Sequence, residues 1–210
     1  MIVPRSAPTP LLVLHGVRLL GFGSDAAVAH RFALEPAATT ELLEDAEAFG
    51  WVRRSASGSA TGWSLTDAGR ARNEALLAEE LDGLGVRSRV EAVHVGFLPL
   101  NARLLDACTR WQLRPLPGDP LAANDHTDHA WDDRVLGSLA SVGHALAPLA
   151  ERLTGALPRC AGYHARYAAA LAKAQRGESS WVDGVGIDSC HRVWIELHED
   201  LIATLGLSRG

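Results

Sequence analysis

Residues 50–69, GWVRRSASGSATGWSLTDAG, read as a two-stranded hairpin fastened to a helix on either side. Trp51-Val52-Arg53-Arg54 is a short β-prone run, residues 55–62 form a turn of small residues, and Trp63-Ser64-Leu65 alternates back. Thr66 carries a hydroxyl suited to cap the next helix, and Asp67 lies near the positive end of that helix's dipole. Upstream, residues 35–49 place Ala38, Leu42, Ala46 and Phe49 at helical spacing, with Pro36 suited to a first turn and Gly50 to a C-terminal stop. Helix, glycine, strand, small-residue loop, strand and helix is the order of a winged helix-turn-helix with a two-stranded wing.

Working outward, residues 11–22 present Leu12, His15, Leu19 and Phe22 near one face of a first helix. Ser24 caps a second helix whose inward face is Val28, Ala29 and Phe32. Leu34-Glu35-Pro36 is the turn to the third, since the residue before a proline is pushed out of helical geometry. Past the hairpin, residues 67–84 form a long polar helix ended by glycine, completing a first domain over 8–84. Residues 86–98 and 101–113 read as two further helices on either side of Pro99, followed by an irregular, proline-rich connection over 114–128. In the rest of the chain, a stripe from Trp131 to Leu149 is expected to break or kink at Pro148, and Pro158 opens a helix bearing Tyr163 and Tyr167. A last helix, capped by Asp188 or Ser189, turns His191, Trp194, Ile195, His198, Leu201, Ile202 and Leu205 inward, with Glu196 and Glu199 in solvent. The expected fold is thus mainly α: the winged domain, then an all-α helical bundle over 86–210.

The chain has 210 residues, 47% hydrophobic and 21% charged, enough to bury one or two real cores. No apolar run approaches the roughly 20 residues that span a bilayer, and residues 1–10 lack the pattern of a secretory signal. A cytoplasmic protein without membrane contact is the expectation. The three cysteines are odd in number and widely separated, which argues against a disulfide framework and a CxxC metal site. Net charge is −5, which argues against a general basic coat for nucleic acid.

The segment GWSLTDAGRA, residues 62–71, resembles the wing-to-helix junction of MarR-like winged-helix regulators. That resemblance covers about the first third of the chain and implies a DNA-binding fold. The segments FLPLNARLLDACTRWQL, NDHTD and CHRVWIELHEDLIATLG resemble a helical tail module of some bacterial phosphoenolpyruvate-utilising, dikinase-like proteins. No catalytic residue maps across that second resemblance, and the phosphotransfer domains are absent.

A recognition helix in the major groove runs between two rows of phosphates, where Arg and Lys supply most of the affinity. Candidate DNA contacts are Thr39 and Thr40 at the start of the third helix, Arg31 on the second, and Arg53 and Arg54 on the wing. Yet the third helix carries Glu35, Glu41, Glu44, Asp45 and Glu47 and no basic residue, so a protein partner stands beside DNA as a reading. In the second domain, Trp111, Gln112, His126, Asp128, Tyr163, Tyr167, His191, Trp194 and His198 are candidates to line a small-molecule pocket, the alternative being a packed core. His191 and His198 are two turns apart, about 10 Å of rise, too far to share one metal ion. No nucleophile elbow, phosphate loop or dinucleotide fingerprint occurs, so neither a metal nor a cofactor is expected. The leading expectation is a transcriptional regulator with a C-terminal effector-binding or dimerisation domain, working as a homodimer because one winged helix covers one half-site. The alternatives are an interaction module that does not bind DNA, and a small-molecule enzyme using His126, Asp128, His191 and His198 as acid–base groups.

Overall fold

A computed structural model describes residues 9–57 and 60–207. Among these residues the chain is mainly helical, with eight α-helices and one small antiparallel sheet of two strands. None of the helices is long and apolar enough to cross a membrane. The chain divides into two compact units, one of Met1–Arg87 with Glu199–Gly210 and one of Ser88–His198. The last residues, expected in the second domain, therefore cluster with the first.

In the first unit, α1 (Pro10–Leu20) starts on the Thr9 hydroxyl, which accepts from the Leu12 amide, and stops at Gly21, whose φ of 71° favours glycine. Phe22 thus lies beyond the helix expected to contain it. Ser24 caps α2 (Asp25–Arg31) by accepting from the Ala27 amide. The next helix, α3 (Pro36–Ala48), buries Thr39, Leu43 and Ala46. Of the expected face, Ala46 is buried and Leu42 packs partly buried against the core, but Phe49 lies past the last turn, is 67% exposed, and stacks on Trp51 at 4.7 Å. The hairpin pairs β1 (Val52–Ser57) with β2 (Ala60–Leu65) from Val52↔Leu65 to Ser57↔Ala60. The strands run further into the small-residue stretch than expected. The remaining tip of the expected turn, Gly58 and Ser59, lies outside the described residues, as does most of the 1–10 segment read for a signal. Gly23, between α1 and α2, adds a backbone bridge to Trp63. Finally α4 (Asp67–Leu84) begins on the Thr66 hydroxyl, which accepts from the Gly69 amide, and ends at Gly85 in the left-handed region. Trp63, fully buried, sits in a core of Val13, Leu14, Val17, Val28, Leu34, Leu43 and Val52.

The second unit holds α5 (Arg87–Gln112), α6 (His129–Ala156), α7 (Tyr163–Ala174) and α8 (Cys190–Leu205) up to His198. Helix α5 is one helix through Pro99, not the two expected, and α6 likewise continues through Pro148. Proline in a helix interior costs about 3 kcal/mol. Along α5 the buried positions Val90, Val93, Phe97, Leu100, Leu104, Ala107 and Trp111 form one unbroken stripe, and burying each large apolar side chain returns roughly 1.5–3 kcal/mol. A break at residue 99 would put half that stripe out of register. Pro158 opens a single 3₁₀ turn, Pro158–Cys160, and α7 begins only at Tyr163. The 114–128 connection is less irregular than expected: Leu113 bridges to Ala123, and Leu116 to Asp119. Ser189 caps α8 through the Arg192 amide. The expected faces of α8 are corrected, since Ile195 is 44% exposed whereas Glu196 and Glu199 are buried.

Candidate functional site

Three surfaces bear on function, and the first is built by α3 and the hairpin. Helix α3 exposes Glu41, Glu44, Asp45 and Glu47. Its N-terminus, the end whose free amides and dipole attract a phosphate, is closed by its own cap: the two Glu35 carboxylate oxygens accept from the Ala37 and Ala38 amides at 3.2 and 2.7 Å. Thr39 is fully buried and donates its hydroxyl to the Glu35 carbonyl at 2.6 Å, so it faces no base. Thr40 donates to Asp25 at 3.0 Å, and the indole N–H of Trp63 donates to the same carboxylate at 2.6 Å. Burial works against the Asp25 charge, but these hydrogen bonds prevail and hold its pKa below the ordinary carboxylate value. The cations are dispersed. Arg54 lies over the Trp63 ring at 4.4 Å and 3.9 Å from Glu44, Arg31 is half-buried against Phe32, and Arg53 is exposed with its Nε donating to Ser64.

Two glycines of the 62–71 segment are there for space. A Cβ on Gly69 would stand 1.8 Å from the Trp51 carbonyl oxygen, and one on Gly62 would stand 2.9 Å from the Gly23 carbonyl oxygen. Both approaches bring backbone against backbone: the first sets α4 against the start of the hairpin, the second sets β2 against the connection between α1 and α2.

The aromatic and histidine candidates of the second unit end on several different partners. Trp194 stacks on Phe97 at 4.8 Å and donates its Nε1–H to Asn101 at 2.9 Å. The Tyr167 hydroxyl donates to the Leu139 carbonyl at 3.0 Å, and the Tyr163 hydroxyl to the Glu196 carbonyl at 3.5 Å. Each polar tip therefore ends on a backbone or amide partner, the condition for a buried aromatic. His198 lies 5.2 Å from the Phe97 ring, and His191 is half-buried. At the other end of α5, His126 tilts against Trp111 at 4.6 Å and pairs through Nδ1 with Asp132 at 3.0 Å, while Asn124 donates to Asp132 and to the Trp111 carbonyl. Asp128 caps α6 and pairs with Arg114 at 3.0 Å, and Gln112 donates to Asp183 at 2.7 Å. Trp111, His126 and Asp132 thus form one cluster that ties the 114–128 connection to α5 and α6. Burial pushes the Cys108 and Cys190 thiols up to about 12, so at neutral pH neither supplies a thiolate nucleophile.

Sequence reasoning missed two features of this unit. Arg166 on α7 binds Asp188 with two guanidinium nitrogens, at 2.6 and 2.7 Å, and Glu196 at 2.5 Å. Burial opposes its charge, but the two carboxylates outweigh burial and raise its pKa further. The other is a groove of about 740 Å³ between α5 and α6, lined by Ala102, Arg103, Asp106, Arg110, Arg134, Gly137, Ser138 and Ser141. The signal was present as Arg103 and Arg110, seven apart on one helix, and Arg134, Ser138 and Ser141 on one face of the next.

No family model, curated protein or solved structure matches this chain.

Proposed function

We propose that the chain is a winged-helix regulatory protein whose first unit docks a basic protein surface, in place of the DNA usually held by this architecture. The order α1, Gly23 bridge, α2, α3, hairpin, α4 supports the winged-helix reading, and with it the resemblance of residues 62–71 to MarR-like regulators. The observation that carries the choice of partner is α3, with its acidic outer face and its N-terminus closed by the Glu35 carboxylate. A duplex presents a negative charge about every 1.7 Å of its axis, so each exposed acid on α3 opposes its approach and favours a lysine- or arginine-rich partner. Beside this face, the exposed Phe49 stacks on the half-buried Trp51, with the Arg72 guanidinium 5.6 Å from the Trp51 ring, the kind of anchor protein interfaces use. The helical second unit serves as effector-binding and dimerisation domain. On α5 the exposed Val95, Leu98 and Leu105 stand at three- and seven-residue spacing on one face, the pattern of a seam that a second copy can cover.

Anisotropy of a fluorescent decalysine peptide, titrated with the full chain at low salt, tests the acidic face. Saturable binding is expected, weakened about tenfold by the double substitution Glu41→Gln, Glu44→Gln. Equal affinity of the native and substituted proteins contradicts the reading. DNA is the second reading, favoured by the exposed Arg53 on β1.

A further inference from the structure

We infer that the groove between α5 and α6 binds a small molecule carrying two phosphate-type oxyanions. Its charged lining is three arginines against one carboxylate, in a chain whose net charge is −5. Arg110 and Arg134, from opposite walls, both lie over the ring of Trp131, their guanidinium carbons 5.4 and 5.6 Å from its centroid. The Trp131 indole is itself held by donation to the Arg110 carbonyl at 2.8 Å. One indole thus gathers two like charges whose repulsion a bound dianion relieves. Arg103 reaches across the groove to donate to Ser141 at 2.8 Å, which adds a third guanidinium to the lining. Asp106 offsets Arg110 only loosely, at 3.6 Å and largely exposed.

Small side chains leave the floor open. Ala102, Ser138 and Ser141 line it, and a Cβ on Gly137 would meet nothing within 4 Å. The volume of about 740 Å³ falls in the range of small-molecule sites. Guanidinium groups, with donors in a planar fork, recognise phosphate by paired hydrogen bonds, and three of them select an oligoanion over a single carboxylate. The groove lies wholly within the second unit, so its binding is read separately from docking by the first unit.

Calorimetric titration of the full chain with inorganic pyrophosphate at low salt reads this site. One-site saturable heat is expected, with affinity reduced about tenfold or more in Arg110→Gln and in Arg134→Gln. Arg152→Gln, whose side chain on the same α6 helix donates to the Pro148 carbonyl outside the groove, leaves it unchanged. Both groove substitutions are at positions reaching solvent, and circular dichroism checks that each variant is folded. Absence of saturable heat overturns the proposal. So does an equal loss in Arg152→Gln, or binding of a single-stranded oligonucleotide without binding of pyrophosphate.

Discussion

Replacing Gly69 by alanine is expected to remove most of the stability of the first unit, at a cost of about 3–5 kcal/mol. The added methyl would stand 1.8 Å from the Trp51 carbonyl oxygen, a backbone atom that cannot swing aside as a side chain can. That oxygen also accepts from the Thr66 amide at 3.0 Å and the Thr66 hydroxyl at 3.1 Å. Any shift that relieves the clash breaks these bonds, each worth about 1 kcal/mol, and loosens the cap on which α4 begins. A domain stable by only about 5–15 kcal/mol absorbs such a loss poorly. Gly83→Ala on the same helix is the matched control. A Cβ there meets nothing within 4 Å, so helix propensity alone acts and stability rises by up to about 1 kcal/mol. Urea denaturation followed by circular dichroism measures both, and a Gly69→Ala protein as stable as the native one removes the claimed backbone contact.

Asp200→Ala comes next in size, at about 3–5 kcal/mol. His15, fully buried on α1, donates its Nε2–H to Asp200 at 3.0 Å, while its Nδ1 faces Asn73 of α4 at 3.4 Å and Thr204 donates to the same carboxylate at 3.3 Å. Next to this pair, Arg18 donates to Glu199 at 2.8 Å and to Glu74 at 2.9 Å. Residues 199–204 are thereby tied to the first unit by buried polar bonds. Truncating Asp200 removes the carboxylate oxygen that the imidazole N–H and the Thr204 hydroxyl share, at a buried site where water does not replace it. Asp200→Asn keeps an acceptor oxygen and costs less. Asp82→Ala, which removes an exposed partner of Arg87 at 3.4 Å, is expected to change stability by no more than about 0.5 kcal/mol. The comparison of the three by urea denaturation separates a buried polar network from a surface ion pair.

The hairpin and its flanking helices were legible because their chemistry is local: a Thr66 hydroxyl three residues before the amide it caps, a Gly85 after the last turn, alternation around Trp63. What escaped was set at long range. The prolines at 99 and 148 each signal a local stop, but the continuous buried stripe decides, and it forms only against other helices. Glu196 looks solvated in a helical wheel because nothing local announces Arg166, thirty residues earlier, as its partner. The aromatic candidates could not be sorted into core or pocket from sequence, since Tyr and Trp tips serve both. Only the Leu139 carbonyl and the Asn101 side chain, as acceptors, show them satisfied. In α3 the acids were readable, but the burial of Thr39 and the diversion of Thr40 to Asp25 were not, because both are set by how α3 packs on the rest of the first unit.

The most direct test of the choice of partner is the anisotropy of a fluorescent random-sequence duplex, titrated with the native chain and with Arg53→Ala at about 50 mM salt, where counterion release most favours binding. Unchanged anisotropy with both proteins is the expected result, given an α3 that presents acids outward and closes its own N-terminus with Glu35. A saturable rise with the native chain that weakens on adding salt, and that Arg53→Ala diminishes, contradicts the docking of a basic protein and assigns the surface to DNA.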